Sequence, residues 1–91
     1  MDGAPRVVMY ATGWCPYCAR ARRLLQSKGV DFEEIGIDEV EGARAEMQQR
    51  SGRTSVPQIF INDRLVGGYD DTKALDDAGQ LDPLLAGMAG A

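Results

Sequence analysis

The spacing of apolar positions changes along this chain, and each change of period marks an element. Residues 6–10, Arg6 to Tyr10, form a short β-rich run that predicts a buried strand. Ala11-Thr12-Gly13-Trp14 breaks the run as a loop, with Gly13 supplying the sharp turn. From Pro16 to Lys28 the apolar Tyr17, Ala21, Leu24 and Leu25 recur at helical spacing, with Arg20, Arg22 and Arg23 on the other faces. Pro16 suits the first helical position, where the N–H that proline lacks has no partner anyway, and Gly29 follows as a stop.

Residues 31–37 alternate polar and apolar, which predicts a second strand with Phe32, Ile35 and Ile37 facing inward. A more polar helix over Glu41 to Arg50 closes near Gly52. Pro57 to Ile61, the turn Asn62-Asp63 and the returning Arg64 to Gly67 read as a β-hairpin. Asp70 is the expected N-cap of a helix running to Ala78, stopped by Gly79. Leu81 to roughly Gly87 predicts a last short helix, and Met88 to Ala91 should fray. The order β-α-β-α-β-β-α predicts an α/β unit with a four-stranded mixed sheet and helices on both faces. The right-handed crossover makes the first two strands parallel, and the hairpin adds an antiparallel pair.

Composition narrows the function. Ninety-one residues predict a single domain over 1–91, and no repeat or linker interrupts it. A net charge of −4 argues against non-specific binding to nucleic acid or an anionic membrane. There is no run long and apolar enough to span a membrane, and Met1 to Arg6 carry no apolar core of a secretion signal, so a cytoplasmic, reducing compartment is the expectation. There, two cysteines at close spacing point to catalysis or metal binding rather than a structural staple. Zinc wants four ligands, and the chain has two cysteines and no histidine, so no metal is expected.

Cys15-Pro16-Tyr17-Cys18 therefore carries the chemistry. Cysteines three apart in the first turn of a helix share a face and can close a small disulfide ring. Unpaired N–H groups at the helix start favour a thiolate over a thiol. Such a thiolate can attack another disulfide, and the second cysteine can resolve the product.

Three stretches together resemble one family. Cys15-Pro16-Tyr17-Cys18 after a strand, Ser55-Val56-Pro57-Gln58-Ile59-Phe60-Ile61, and Gly67-Gly68-Tyr69-Asp70-Asp71 stand in the order and spacing of glutaredoxins, over about residues 6–86. The resemblance implies the thioredoxin fold, with Cys15 as nucleophile and Cys18 as resolving thiol. It implies glutathione as co-substrate, glutathionylated or disulfide-containing proteins as clients, glutathione reductase and NADPH upstream, and a monomer. It makes Val56-Pro57 a cis-proline loop facing the cysteines, where the Val56 backbone pairs with the cysteinyl part of a bound peptide. Gly68, Tyr69, Asp70 and Asp71 would hold the γ-glutamyl end of glutathione, Tyr17 would flank the thiol pocket, and Arg44 would reach the glycine carboxylate. Many members have a basic residue three positions before the first cysteine; Thr12 stands there and offers the ligand a hydroxyl without charge. Two alternatives stay open on these residues: a [2Fe–2S] carrier in which a cluster bridges two chains, against which Pro16 counts, and a redoxin served by thioredoxin reductase.

Overall fold

The computed structural model describes residues 6–86. The elements run β1 (Val7–Ala11), α1 (Pro16–Ser27), β2 (Glu33–Gly36), α2 (Ala43–Ser51), β3 (Gln58–Ile61), β4 (Arg64–Gly67), α3 (Tyr69–Asp77) and α4 (Leu81–Leu85). The sheet has the order β2-β1-β3-β4, with β1 parallel to β2 and antiparallel to β3, and β3 antiparallel to β4. This is the four-stranded mixed sheet expected from the sequence. Asn62 and Asp63 both take positive φ (54° and 66°), the geometry a tight hairpin requires of its two central residues.

Alternation along the strands sorts the core into two layers. On one face Val7, Met9, Ala11, Ile59 and Ile61 meet Cys18, Ala21 and Leu25 of α1 and Leu81 and Leu85 of α4. On the other, Val8, Tyr10, Phe60 and Ile37 meet Ala43 and Met47 of α2. Every residue of β1 is buried, because β1 is paired on both edges and covered on both faces. The Tyr10 hydroxyl, deep in the second layer, donates to Glu46 Oε2 at 2.9 Å and accepts from Arg50 Nη1 at 2.7 Å, so burial leaves it satisfied.

The structure corrects several expected boundaries. β2 is shorter than residues 31–37: Phe32 packs on the α1 side while Ile35 and Ile37 join the α2 side, as a period of two demands. Helix α2 starts at Ala43 rather than Glu41, because Gly42 holds φ at 82°, outside the helical region. Asp70 is not the N-cap of α3; Gly68 is, and Asp70 lies inside the first turn. The expected helical extension at Gly87 and the fraying of Met88 to Ala91 lie outside the described residues. Among the described residues, no helix is long and apolar enough to cross a membrane.

Candidate active site

Cys15 sits at the N-cap of α1 in an extended conformation (φ −86°, ψ 124°), and Pro16 follows at the first helical position. The chain thus turns into the helix with the Cys15 sulfur at its open end, where the first N–H groups have no intrahelical partner. Cys18 lies one turn in and is fully buried, whereas Cys15 is half-buried. Burial by itself raises the Cys15 thiol, but the N–H of Cys18, the Cys18 thiol and the N–H of Tyr17 together outweigh it, and the net pKa is lowered. Burial pushes Cys18 the other way, up to about 11; the neighbouring Cys15 adds to this, and the Thr12 N–H, with a smaller share from its hydroxyl, offsets part of it. The two sulfurs are therefore set apart by their surroundings: Cys15 is shifted toward the thiolate and Cys18 toward the thiol.

The Cys15 sulfur lies 4.0 Å from the carbonyl oxygen of Val56. The Val56–Pro57 bond is cis. Beside it opens a cleft of about 270 Å³, with Tyr17 on one side, the segment Arg53 and Ser55 to Gln58 beneath, and Gly68 to Asp71 opposite. Tyr17 is half-exposed, with the Arg20 guanidinium 5.1 Å from its ring centre. Asp71 ties the wall together: its carboxylate accepts from the Gly68 N–H at 3.0 Å and from Arg53 Nη1 at 2.8 Å. Gly68 has no side chain to return the bond, so Asp71 supplies half of a capping box. First Arg53 and then the Gly68 N–H hold the Asp71 carboxyl below its usual range. Gly67 is required here: its φ is 119°, and a Cβ would fall 2.3 Å from Asp71 Oδ2.

The structure brings Tyr17, Val56, Pro57, Gly68, Tyr69, Asp70 and Asp71 to one cleft, with Cys15 against Val56 at its rim. It does not bring Thr12 or Arg44 there. Thr12 is buried, 6% exposed, behind Cys18. Arg44 pairs with Asp38 and lines a separate hollow with Ile37, Glu41 and Gln48. Three cleft residues escaped the sequence reading of the site: Arg53, Ser55 and Gln58. Gln58 had a signal, a polar residue inside an apolar strand. It is 1% exposed, donates through Nε2 to the Ser55 carbonyl at 3.0 Å, and leaves Oε1 without a partner.

A pair of cysteines with opposed acidities beside a cis-proline cleft is the geometry of a redox site, and comparison with known proteins agrees. The glutaredoxin family model matches residues 7–66. The chain belongs to the glutaredoxin family. It is 56% identical over 82 residues to a glutaredoxin of Pseudomonas aeruginosa, covering 90% of this chain and 98% of that one. It is 57% identical over 79 residues to glutaredoxin 3 of Escherichia coli K12, covering 87% and 95%. Among solved structures, the buckwheat glutaredoxin–glutathione complex superposes with a TM-score of 0.83 at 27% identity, covering 89% of this chain and 76% of that one. As a glutaredoxin with a cysteine pair, this protein has a thioredoxin-like fold and is a thiol–disulfide oxidoreductase.

Proposed function

We propose that this glutaredoxin uses glutathione to reduce protein–glutathione mixed disulfides and protein disulfides, through Cys15 and Cys18. The Cys15 thiolate attacks the glutathione sulfur of a mixed disulfide and the protein thiolate leaves. A second glutathione thiolate then attacks the Cys15-bound glutathione, releasing glutathione disulfide and restoring Cys15. With a protein disulfide, Cys15 first becomes joined to the client; Cys18 attacks the Cys15 sulfur, frees the client thiol and leaves a Cys15–Cys18 disulfide for glutathione to reduce.

The observation that carries this reading is the cleft against Val56, because its polar groups match a tripeptide bearing one ammonium and two carboxylates. Asp70 and Asp71 offer negative charge to the ammonium, and the first-turn N–H groups of α3 offer donors to the adjoining carboxylate. The Val56 backbone faces the sulfur of Cys15, where the cysteinyl residue of glutathione must lie during attack. Gln58, buried beneath the cleft, donates to the Ser55 carbonyl and so holds the segment that lines it. Arg53, rather than Arg44, is the cation of the cleft and serves the distal carboxylate. The protein works as a cytoplasmic monomer, with glutathione reductase and NADPH restoring the glutathione it consumes.

Steady-state turnover of a glutathionylated peptide tests the proposal. Turnover is expected with glutathione, glutathione reductase and NADPH, and not with thioredoxin reductase in their place. Equal turnover by thioredoxin reductase without glutathione would overturn it. Anaerobic purification with iron and glutathione is expected to give a colourless monomer rather than a coloured, cluster-bridged dimer.

A further inference from the structure

Thr12 follows β1 directly, and its hydroxyl oxygen is enclosed yet has no hydrogen-bond partner. An enclosed polar atom left unpaired is costly and asks for a reason. Both the N–H and the hydroxyl of Thr12 act on the Cys18 thiol and oppose the effect of its burial, although no hydrogen bond of normal geometry joins the hydroxyl to that sulfur. A neutral thiol sulfur is a weak acceptor, so the hydroxyl finds no partner while Cys18 is protonated. A thiolate in the same place is a strong, charged acceptor. The rest of the Cys18 surroundings supply little: the packed cluster around it is apolar. The titratable or charged groups that reach it are Cys15, across the first turn of α1, and Arg22 further along, itself bound to Glu34.

We propose that Thr12 is a catalytic residue of the dithiol cycle, its hydroxyl donating to Cys18 whenever that sulfur carries the negative charge. The inference rests on the assignment of Cys18 as resolving thiol. When a glutathione thiolate attacks Cys15 in the oxidised pair, a bond forms between glutathione and Cys15 and the Cys15–Cys18 bond breaks. Both electrons of the broken bond stay on Cys18, which leaves as a thiolate inside an apolar pocket. Burial makes it a poor leaving group, and the Thr12 hydroxyl opposes that penalty at the moment charge appears. Solvent then protonates Cys18, and a second glutathione thiolate takes the glutathione from Cys15 as glutathione disulfide. Run in the other direction, the same hydrogen bond raises the fraction of Cys18 able to attack a client bound to Cys15.

The test compares wild type, Thr12→Val and Thr12→Ser in the full chain; valine keeps the branched shape and serine keeps the hydroxyl. In a Cys15→Ser background, ultraviolet titration of the Cys18 thiolate is expected to shift upward by about one pH unit with Thr12→Val, a tenfold change in the ionisation constant. Thr12→Ser should titrate close to wild type. Stopped-flow reduction of the oxidised pair, followed through Trp14, the single tryptophan, should slow roughly three- to tenfold in Thr12→Val. The slowing is expected with dithiothreitol as reductant as well as glutathione. If only dithiothreitol reduces the pair and still shows the Thr12 effect, glutathione dependence fails while this inference stands. An unchanged Cys18 midpoint in Thr12→Val, or a Thr12→Ser that behaves like Thr12→Val, overturns it. So does an equal shift of the Cys15 midpoint in a Cys18→Ser background.

Discussion

The cleft beside Cys15 and the hollow around Arg44 both lie against the start of a helix, and the second is the larger, about 520 Å³ against about 270 Å³. Around Arg44 the one cation is neutralised and the rest of the charged lining is acidic. Its guanidinium is bound to Asp38, the other charges lining the hollow are Glu39 and Glu41, and no nucleophile is present. In the cleft Arg53 is likewise bound, to Asp71, but the open end of α1 faces a sulfur and Gln58 keeps a buried oxygen free. Room for a ligand is thus a poor guide to function here. What sets the cleft apart is a nucleophile at a helix start and a buried polar atom that the protein itself has not satisfied.

Four experiments can break or sharpen that contrast. Cys15→Ser should lower turnover of a glutathione mixed disulfide by at least about a thousandfold in an NADPH-coupled assay, since a hydroxyl is not ionised at neutral pH. Retained activity would erase the distinction between the two hollows. Cys18→Ser should abolish reduction of an intramolecular protein disulfide while sparing the glutathione mixed disulfide, read by comparing the two substrates at equal enzyme.

Asp71→Asn should raise KM for the glutathionylated peptide roughly fivefold, about 1 kcal/mol of a charge-assisted contact. It should also lower stability by about 0.5–1 kcal/mol, because the half-exposed Arg53 pair is screened by water and the cap is modest. The pH dependence of that loss has a definite sign. Asp71 has a lowered pKa in the folded state, so as pH falls the unfolded chain takes up the proton first. The stabilisation is complete above about pH 4, the ordinary aspartate range, and disappears as pH falls through the folded value. Denaturation curves of variant and wild type should therefore converge in acid and separate at neutral pH. Arg44→Gln is the smallest effect: KM for the same peptide should stay within about twofold. A larger rise would return Arg44 to the binding site and make the two hollows one.

The fold was largely legible because its signals are local. Apolar periods, Pro16 at a helix start and Asn62-Asp63 at a hairpin each constrain the few residues around them. The residues that meet at the candidate cleft were legible where a motif spans consecutive residues, as at Cys15 to Cys18 and Gly67 to Asp71. It was not legible where a partner comes from elsewhere in the chain. Arg53 enters the cleft through Asp71, a pairing that no local pattern announces, and the same carboxylate moves the cap of α3 from Asp70 back to Gly68. Arg44 was placed on the right helix, but its side chain answers to Asp38 on the preceding loop. Thr12 was read as facing the ligand, whereas the end of β1 turns it inward behind the second sulfur.

The walls of the cleft come from three separated stretches, around Cys15, Val56 and Gly68. A chain emerging from the ribosome therefore presents both sulfurs well before it possesses the cleft proposed to hold their substrate. Until the start of α3 has been synthesised and docked, those sulfurs react as they would in any unstructured peptide. On the proposed function, discrimination between clients waits for the whole chain, and a fragment clipped ahead of Gly68 would carry two thiols of ordinary reactivity and no cleft.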